Sequence, residues 1–153
     1  MPPEIGQLSK LTHLDFYGNL ITNLPPEIGN LVTLKILYIP HNKLTYLPVE
    51  IGQLVNLEIF HIHSNQLTTL PTEIGQLLRI KELLLHANQL TWLPIEIGQL
   101  VYIEKISVYN NPLENLFNPI IQRILTRQKH QKSIYEDDQN IHNSSIQKSV
   151  KEI

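Results

Sequence analysis

Apolar positions along the chain follow a fixed beat. Leucine or isoleucine opens a unit at Leu11, Leu34, Leu57, Ile80 and Ile103, each 23 residues after the last. Within a unit the apolar side chains fall at the first, fourth and sixth places, as in Leu34, Leu37, Ile39, then Leu57, Phe60, Ile62, then Ile80, Leu83, Leu85. This alternation predicts a short strand. The ninth place is always asparagine (Asn19, Asn42, Asn65, Asn88, Asn111), whose side chain bonds nearby backbone where a strand ends and turns. One asparagine per coil predicts a ladder.

The second half of each unit reads Leu-Pro-x-Glu-Ile-Gly-x-Leu, from Leu24 to Leu31, Leu47 to Leu54, Leu70 to Leu77 and Leu93 to Leu100. Proline suits the first position of a short helical turn, glutamate there opposes the positive helix end, and glycine accepts the left-handed conformation that ends it. A coil of one strand and one brief turn cannot cover its own leucines. It buries them against the coils before and after, which gives a quasi-one-dimensional stack. The predicted class is an α/β solenoid, with a short parallel sheet on its concave face and brief helical turns on its convex face. At about 4.8 Å between strands, the five coils span on the order of 24 Å.

These residues resemble the leucine-rich repeat family, whose pattern is L-x-x-L-x-L-x-x-N-x-L. The Leu-Pro-x-Glu-Ile-Gly-x-Leu half is similar to the intracellular 23-residue subclass of Ras-suppressor and Ras-pathway scaffold proteins and their plant and bacterial relatives. The resemblance covers residues 2 to about 125 and implies protein recognition on the concave sheet without catalysis. Fold alone says little about function, because the matching positions are structural ones.

The expected layout is a repeat block at 1–125, with a partial repeat at 1–10, and a polar, flexible tail at 126–153. Residues 2 to 10 match the second half of a unit whose first half is absent. The flank of Leu11, Leu14, Phe16, Ile21 and Leu24 is therefore expected to lack cover, consistent with a truncated product, a piece of a longer gene, or self-association through that N-terminal edge. At the other end, Asn118 is placed as N-cap and Pro119 as first helical residue of a capping helix at about 118–125, with apolar pairs at 120/121 and 124/125. The tail holds five basic and four acidic residues among scattered isoleucines, too little to order itself.

Composition narrows the function classes. With 12 basic against 14 acidic residues, the formal charge is -2, and the field that would concentrate a polyanion is missing. Nucleic acid is not expected as a partner. There is no cysteine, which excludes disulfides, a thiolate zinc site and a cysteine nucleophile, and favours a reducing compartment. No apolar run approaches the roughly 20 residues of a spanning helix, and Met1-Pro2-Pro3-Glu4 is not a signal peptide. A cytoplasmic protein without a membrane partner is expected.

The candidate site is the row of places three, five, seven and eight, which face outward between the buried positions. It holds His13, Asp15, Tyr17, Tyr38, His41, His61, His63, His86, Ser107 and Tyr109, with Tyr17, Tyr38, His61, His63, His86 and Tyr109 expected as central contacts for a protein partner. The resemblance adds a small GTPase pathway component as the kind of partner. Three imidazoles at 61, 63 and 86 suggest zinc, but a flat sheet splays side chains in parallel and no acidic partner is expected near them beyond Glu82, which the pattern sets toward its strand start, so no metal and no cofactor is predicted. Unperturbed imidazoles titrate near pH 6.5, which would make this face pH-sensitive. No phosphate loop, serine triad or H-E-x-x-H is present, and the reading is of a non-enzyme. His13 with Asp15 reads as a surface pair, and the stripe Glu4, Glu27, Glu50, Glu73, Glu96 as helix-end electrostatics. The leading expectation is thus an intracellular adaptor or scaffold in signal transduction. The alternative is a bacterial or secreted recognition protein acting on a host or neighbouring cell.

Overall fold

The computed structural model describes residues 1–114 together with Pro119, Gln122 and Arg123. Each coil contributes one three-residue strand: β1 (His13–Asp15), β2 (Ile36–Tyr38), β3 (Ile59–His61), β4 (Glu82–Leu84) and β5 (Lys105–Ser107). They form a five-stranded parallel sheet in the order β1-β2-β3-β4-β5. Each residue pairs with its equivalent one repeat on, as in Leu37 with Phe60 and Phe60 with Leu83. A one-residue slip would turn every buried leucine outward, so the apolar pattern holds the register.

The core is shared between coils. Leu34, Leu37, Ile39, Leu57, Phe60, Ile62, Ile80, Leu83 and Leu85 are all completely buried. Burial of each such side chain contributes roughly 1.5–3 kcal/mol. The flank of coil one is the exception: Leu8 is 50% exposed where its equivalents Leu31, Leu54 and Leu77 are fully covered. Leu11, Leu14, Phe16 and Ile21 on that flank are partly buried against the core, and Leu24, expected to lack cover with them, is buried at 1%.

The convex side carries 3-10 turns at Pro3–Gln7, Pro26–Asn30, Val49–Gln53, Thr72–Gln76 and Ile95–Gln99. Two details differ from expectation. The prolines Pro25, Pro48, Pro71 and Pro94 stand one place before the turn, in extended conformation, where their carbonyls accept from Ile28, Ile51, Ile74 and Ile97. The glycines of these turns are not left-handed; Gly18 alone among the described glycines has positive φ. Gly52 is needed for space, since a Cβ there would sit 2.7 Å from the Glu73 carbonyl oxygen and 2.8 Å from its Cβ. The glutamate stripe is thus packed stem-first onto the glycine of the preceding coil.

Where each strand ends, the eighth place adopts the left-handed conformation: Gly18, His41, Ser64, Ala87 and Asn110, with φ from 53° to 67°. The asparagine that follows closes this corner. Asn65 Nδ2 donates to the carbonyls of Ile39 (2.8 Å), Ile62 (3.1 Å) and His63 (3.3 Å), and its Oδ1 accepts from the Leu44 amide at 3.0 Å. Asn42, Asn88 and Asn111 repeat the arrangement, so the ladder satisfies backbone groups that no strand partner reaches. Of the capping helix expected at 118–125, Pro119, Gln122 and Arg123 have helical conformation; its remainder and the tail at 126–153 lie outside the described residues.

Candidate functional site

Strands about 4.8 Å apart bring equivalent side chains to ring-stacking distance, so aromatic residues at the same place on successive coils must touch. The seventh place holds Tyr17, Pro40, His63, His86 and Tyr109. His63 and His86 lie flat against each other, with centroids 4.3 Å apart and planes at 9°. His86 stacks on Tyr109 at 4.5 Å and 15°. Pro40 is buried and interrupts the row, and His41 fills the gap from the left-handed eighth place. Its ring sits 5.1 Å from Tyr17 and 5.4 Å, edge-on, from His63. A continuous row Tyr17, His41, His63, His86, Tyr109 results, crossing all five strands.

A second pair lies on the fifth place: Tyr38 stacks on His61 at 4.7 Å, and His61 in turn lies 6.4 Å from His63. His61 Nε2 is 3.3 Å from Glu82 Oε2, and Lys105 Nζ approaches the same oxygen at 3.6 Å. Glu82 is therefore closer to the rings than its place at the strand start suggests. It reaches His61 diagonally from the neighbouring strand, a contact that the period of two allows for a long side chain. Ser107, expected as a contact, is only 2% exposed; its Oγ lies 3.0 Å from His86 Nδ1 and orients that ring. His13 and Asp15 do not pair: His13 Nδ1 bonds Thr12 Oγ1 at 2.8 Å, and Asp15 Oδ1 accepts from the Tyr17 amide at 2.8 Å.

Burial disfavours the charged form of His61, His63 and His86. Desolvation, reinforced by the neighbouring rings His86, His41 and His61, lowers His63 to about 3. The same cause, with His61, His41 and Lys105 adding to it, lowers His86 to about 4. His61 is lowered as well, because burial outweighs the opposing hydrogen bond and charge of Glu82. The titration that the sequence places near pH 6.5 is thereby moved into the acid range for His63 and His86. Near neutrality the His63 and His86 rings are therefore uncharged. Among the described residues, no group of three or more histidine, aspartate or glutamate side chains is arranged to hold a metal ion.

Stacked 23-residue coils, a parallel concave sheet and an asparagine ladder define the class as a leucine-rich repeat solenoid. A family model described as a leucine-rich repeat region matches residues 26–124, and a second, for a single leucine-rich repeat, matches residues 10–31. The chain belongs to the leucine-rich repeat family. Among solved structures it is similar to a leucine-rich repeat protein of Leptospira interrogans, at 42% identity and TM-score 0.78 over 83% of this chain and 32% of that one. It is also similar to the ectodomain of the plant membrane receptor kinase GASSHO1/SCHENGEN3 from Arabidopsis thaliana, in complex with CASPARIAN STRIP INTEGRITY FACTOR 2, at 30% identity and TM-score 0.70 over 74% of this chain and 14% of that one. An internalin of Listeria monocytogenes, 21% identical with TM-score 0.68 over 81% of this chain and 35% of that one, shares the fold. The chain spans about a third or less of the length of the first two. No curated protein matches the chain significantly. Among the described residues no helix is long and apolar enough to cross a membrane.

Proposed function

We propose that the chain is a non-enzymatic recognition module that takes a protein partner on its concave ring row. The observation that carries this reading is the unbroken row Tyr17, His41, His63, His86, Tyr109, maintained even where Pro40 would interrupt it. Rings already packed on one another lose little freedom when a partner lands on them, which is what an interface anchor requires. The plant receptor ectodomain named above, itself built of leucine-rich repeats, is in complex with CASPARIAN STRIP INTEGRITY FACTOR 2, and that supports a protein or peptide occupant here.

The Leu-Pro-x-Glu-Ile-Gly-x-Leu turn, similar to that of Ras-pathway scaffolds, supports a cytoplasmic adaptor whose partner belongs to a small GTPase pathway. A second reading, a bacterial recognition protein acting on a host or neighbouring cell, is favoured by the 42% identity to the Leptospira protein. Replacing His41, His63 and His86 together with alanine tests the site: affinity for a captured partner falls at least about tenfold, while the far-ultraviolet spectrum and unfolding midpoint stay near those of the unmodified chain. Unchanged affinity removes the concave row as the binding site. Direct binding measurements against a panel of small GTPases and their effectors separate the two readings, since the adaptor reading requires one of them to bind.

A further inference from the structure

Away from the concave face, a second row repeats along the edge where each 3-10 turn runs into its strand. Val32, Val55, Leu78 and Val101 occupy the same place in successive coils and are 47%, 52%, 54% and 73% exposed. Three residues on, the first polar residue before each strand reads Lys35, Glu58, Lys81, Glu104, with the sign reversing at every coil. Both rows begin together, because the preceding coil has Ser9 and Thr12 at these places. Packing inside the chain does not require the ridge, since the neighbouring Leu31, Leu54, Leu77 and Leu100 already fill the core.

We propose that this edge is a two-fold interface with a second copy of the chain, the two solenoids antiparallel and ridge on ridge. A two-fold contact must be self-complementary. Turned end for end, the ridge sets Val32 on Val101 and Val55 on Leu78 of the second copy. The same rotation sets Lys35 opposite Glu104 and Glu58 opposite Lys81, so every cation meets an anion. Between these rows, Thr33 faces Tyr102 and Asn56 faces Arg79, with no like charges opposed. Lys81 Nζ and Glu58 Oε2 already lie 2.6 Å apart within one chain, so the centre of the interface becomes a ring of four alternating charges. A partner of uniform charge gains nothing from a row that changes sign every coil, whereas a second copy does. The strip spans only about 15 Å along the stack, so the association is weak, at the small end of specific interfaces.

Sedimentation equilibrium of the full chain at low salt, up to several hundred micromolar, tests this. The expected average mass rises toward twice the 17.7 kDa of the chain. Val55→Asp with Leu78→Asp holds it at one copy with an unchanged circular dichroism spectrum. Glu58→Lys alone and Lys81→Glu alone each weaken association about tenfold or more, because each opposes like charges. An equimolar mixture of those two variants regains it, since each substituted side chain then faces an opposite charge on the other chain, and a purely intramolecular effect would not be rescued by mixing. A wild-type chain that stays monomeric overturns the proposal. So does a dimer that survives Val55→Asp with Leu78→Asp, as docking through the flank of coil one would, and so does a mixture no better than its components.

Discussion

The two faces of the solenoid obey opposite rules. On the convex side, coil after coil presents the same proline, glutamate, isoleucine and glycine: proline and isoleucine close the turn within a coil, and glycine receives the glutamate of the next coil, as Gly52 does Glu73. On the concave side the fifth place runs Asp15, Tyr38, His61, Leu84, Ser107, with no residue repeated. Sameness follows from stacking, which poses an identical packing problem 23 residues later. Difference along one face of the sheet has no such cause, and under the proposed function this varied surface is the one that would tell one partner from another.

If that contrast holds, substitutions at repeated places should cost stability and substitutions at variable places should cost binding. The largest effect is expected for Leu83→Ala, which opens a cavity at a completely buried place and destabilises by about 2–5 kcal/mol in chemical denaturation. Next comes Asn65→Ala, which strands the buried Leu44 amide and removes one of the donors to the Ile39, Ile62 and His63 carbonyls, and costs about 1–3 kcal/mol; Asn19→Ala, whose two bonds are local and exposed, should cost under about 1 kcal/mol. Gly52→Ala should cost about 1–3 kcal/mol through overpacking against Glu73, although alanine is ordinarily the better helix former. If it proves neutral or stabilising, the packing account of the convex glycines is wrong.

The smallest expected effect belongs to the variable face and depends on pH. His63 and His86 have folded values of about 3 and about 4, below the 6.5 of an unfolded chain, so the unfolded state binds more protons between these limits. The stability they contribute is complete above about pH 6.5 and is lost progressively as pH falls toward about 4 and then about 3. Unfolding midpoints measured across that range should decline, and the decline should be shallower in a His63→Gln, His86→Gln variant. Equal slopes would show that carboxylates elsewhere account for all of it.

The repeat, the sheet, its register and the buried set were legible because each rests on a spacing that recurs. The concave row was legible as a set of residues but not as an arrangement. Nothing in one-dimensional spacing shows that His41 replaces Pro40 in the ring row, because that depends on the left-handed corner at the eighth place. The diagonal reach of Glu82 to His61 was hidden for a related reason: it joins unlike places on adjacent coils, and repeat periodicity compares only like with like. The burial of Ser107 was hidden because an alternating pattern assigns a side without saying how far the neighbouring rings lean over it.

The corner at the eighth place has one more consequence. Since histidine, serine and alanine occupy it with nearly the same backbone angle as glycine and asparagine, the bend is imposed by the stack, which holds even residues for which a positive φ is costly. Each coil therefore has two addresses from which a ring can be delivered to one spot. The coil that carries Pro40 at the first address supplies its ring, His41, from the second, and the row of rings stays continuous over an unaltered stack.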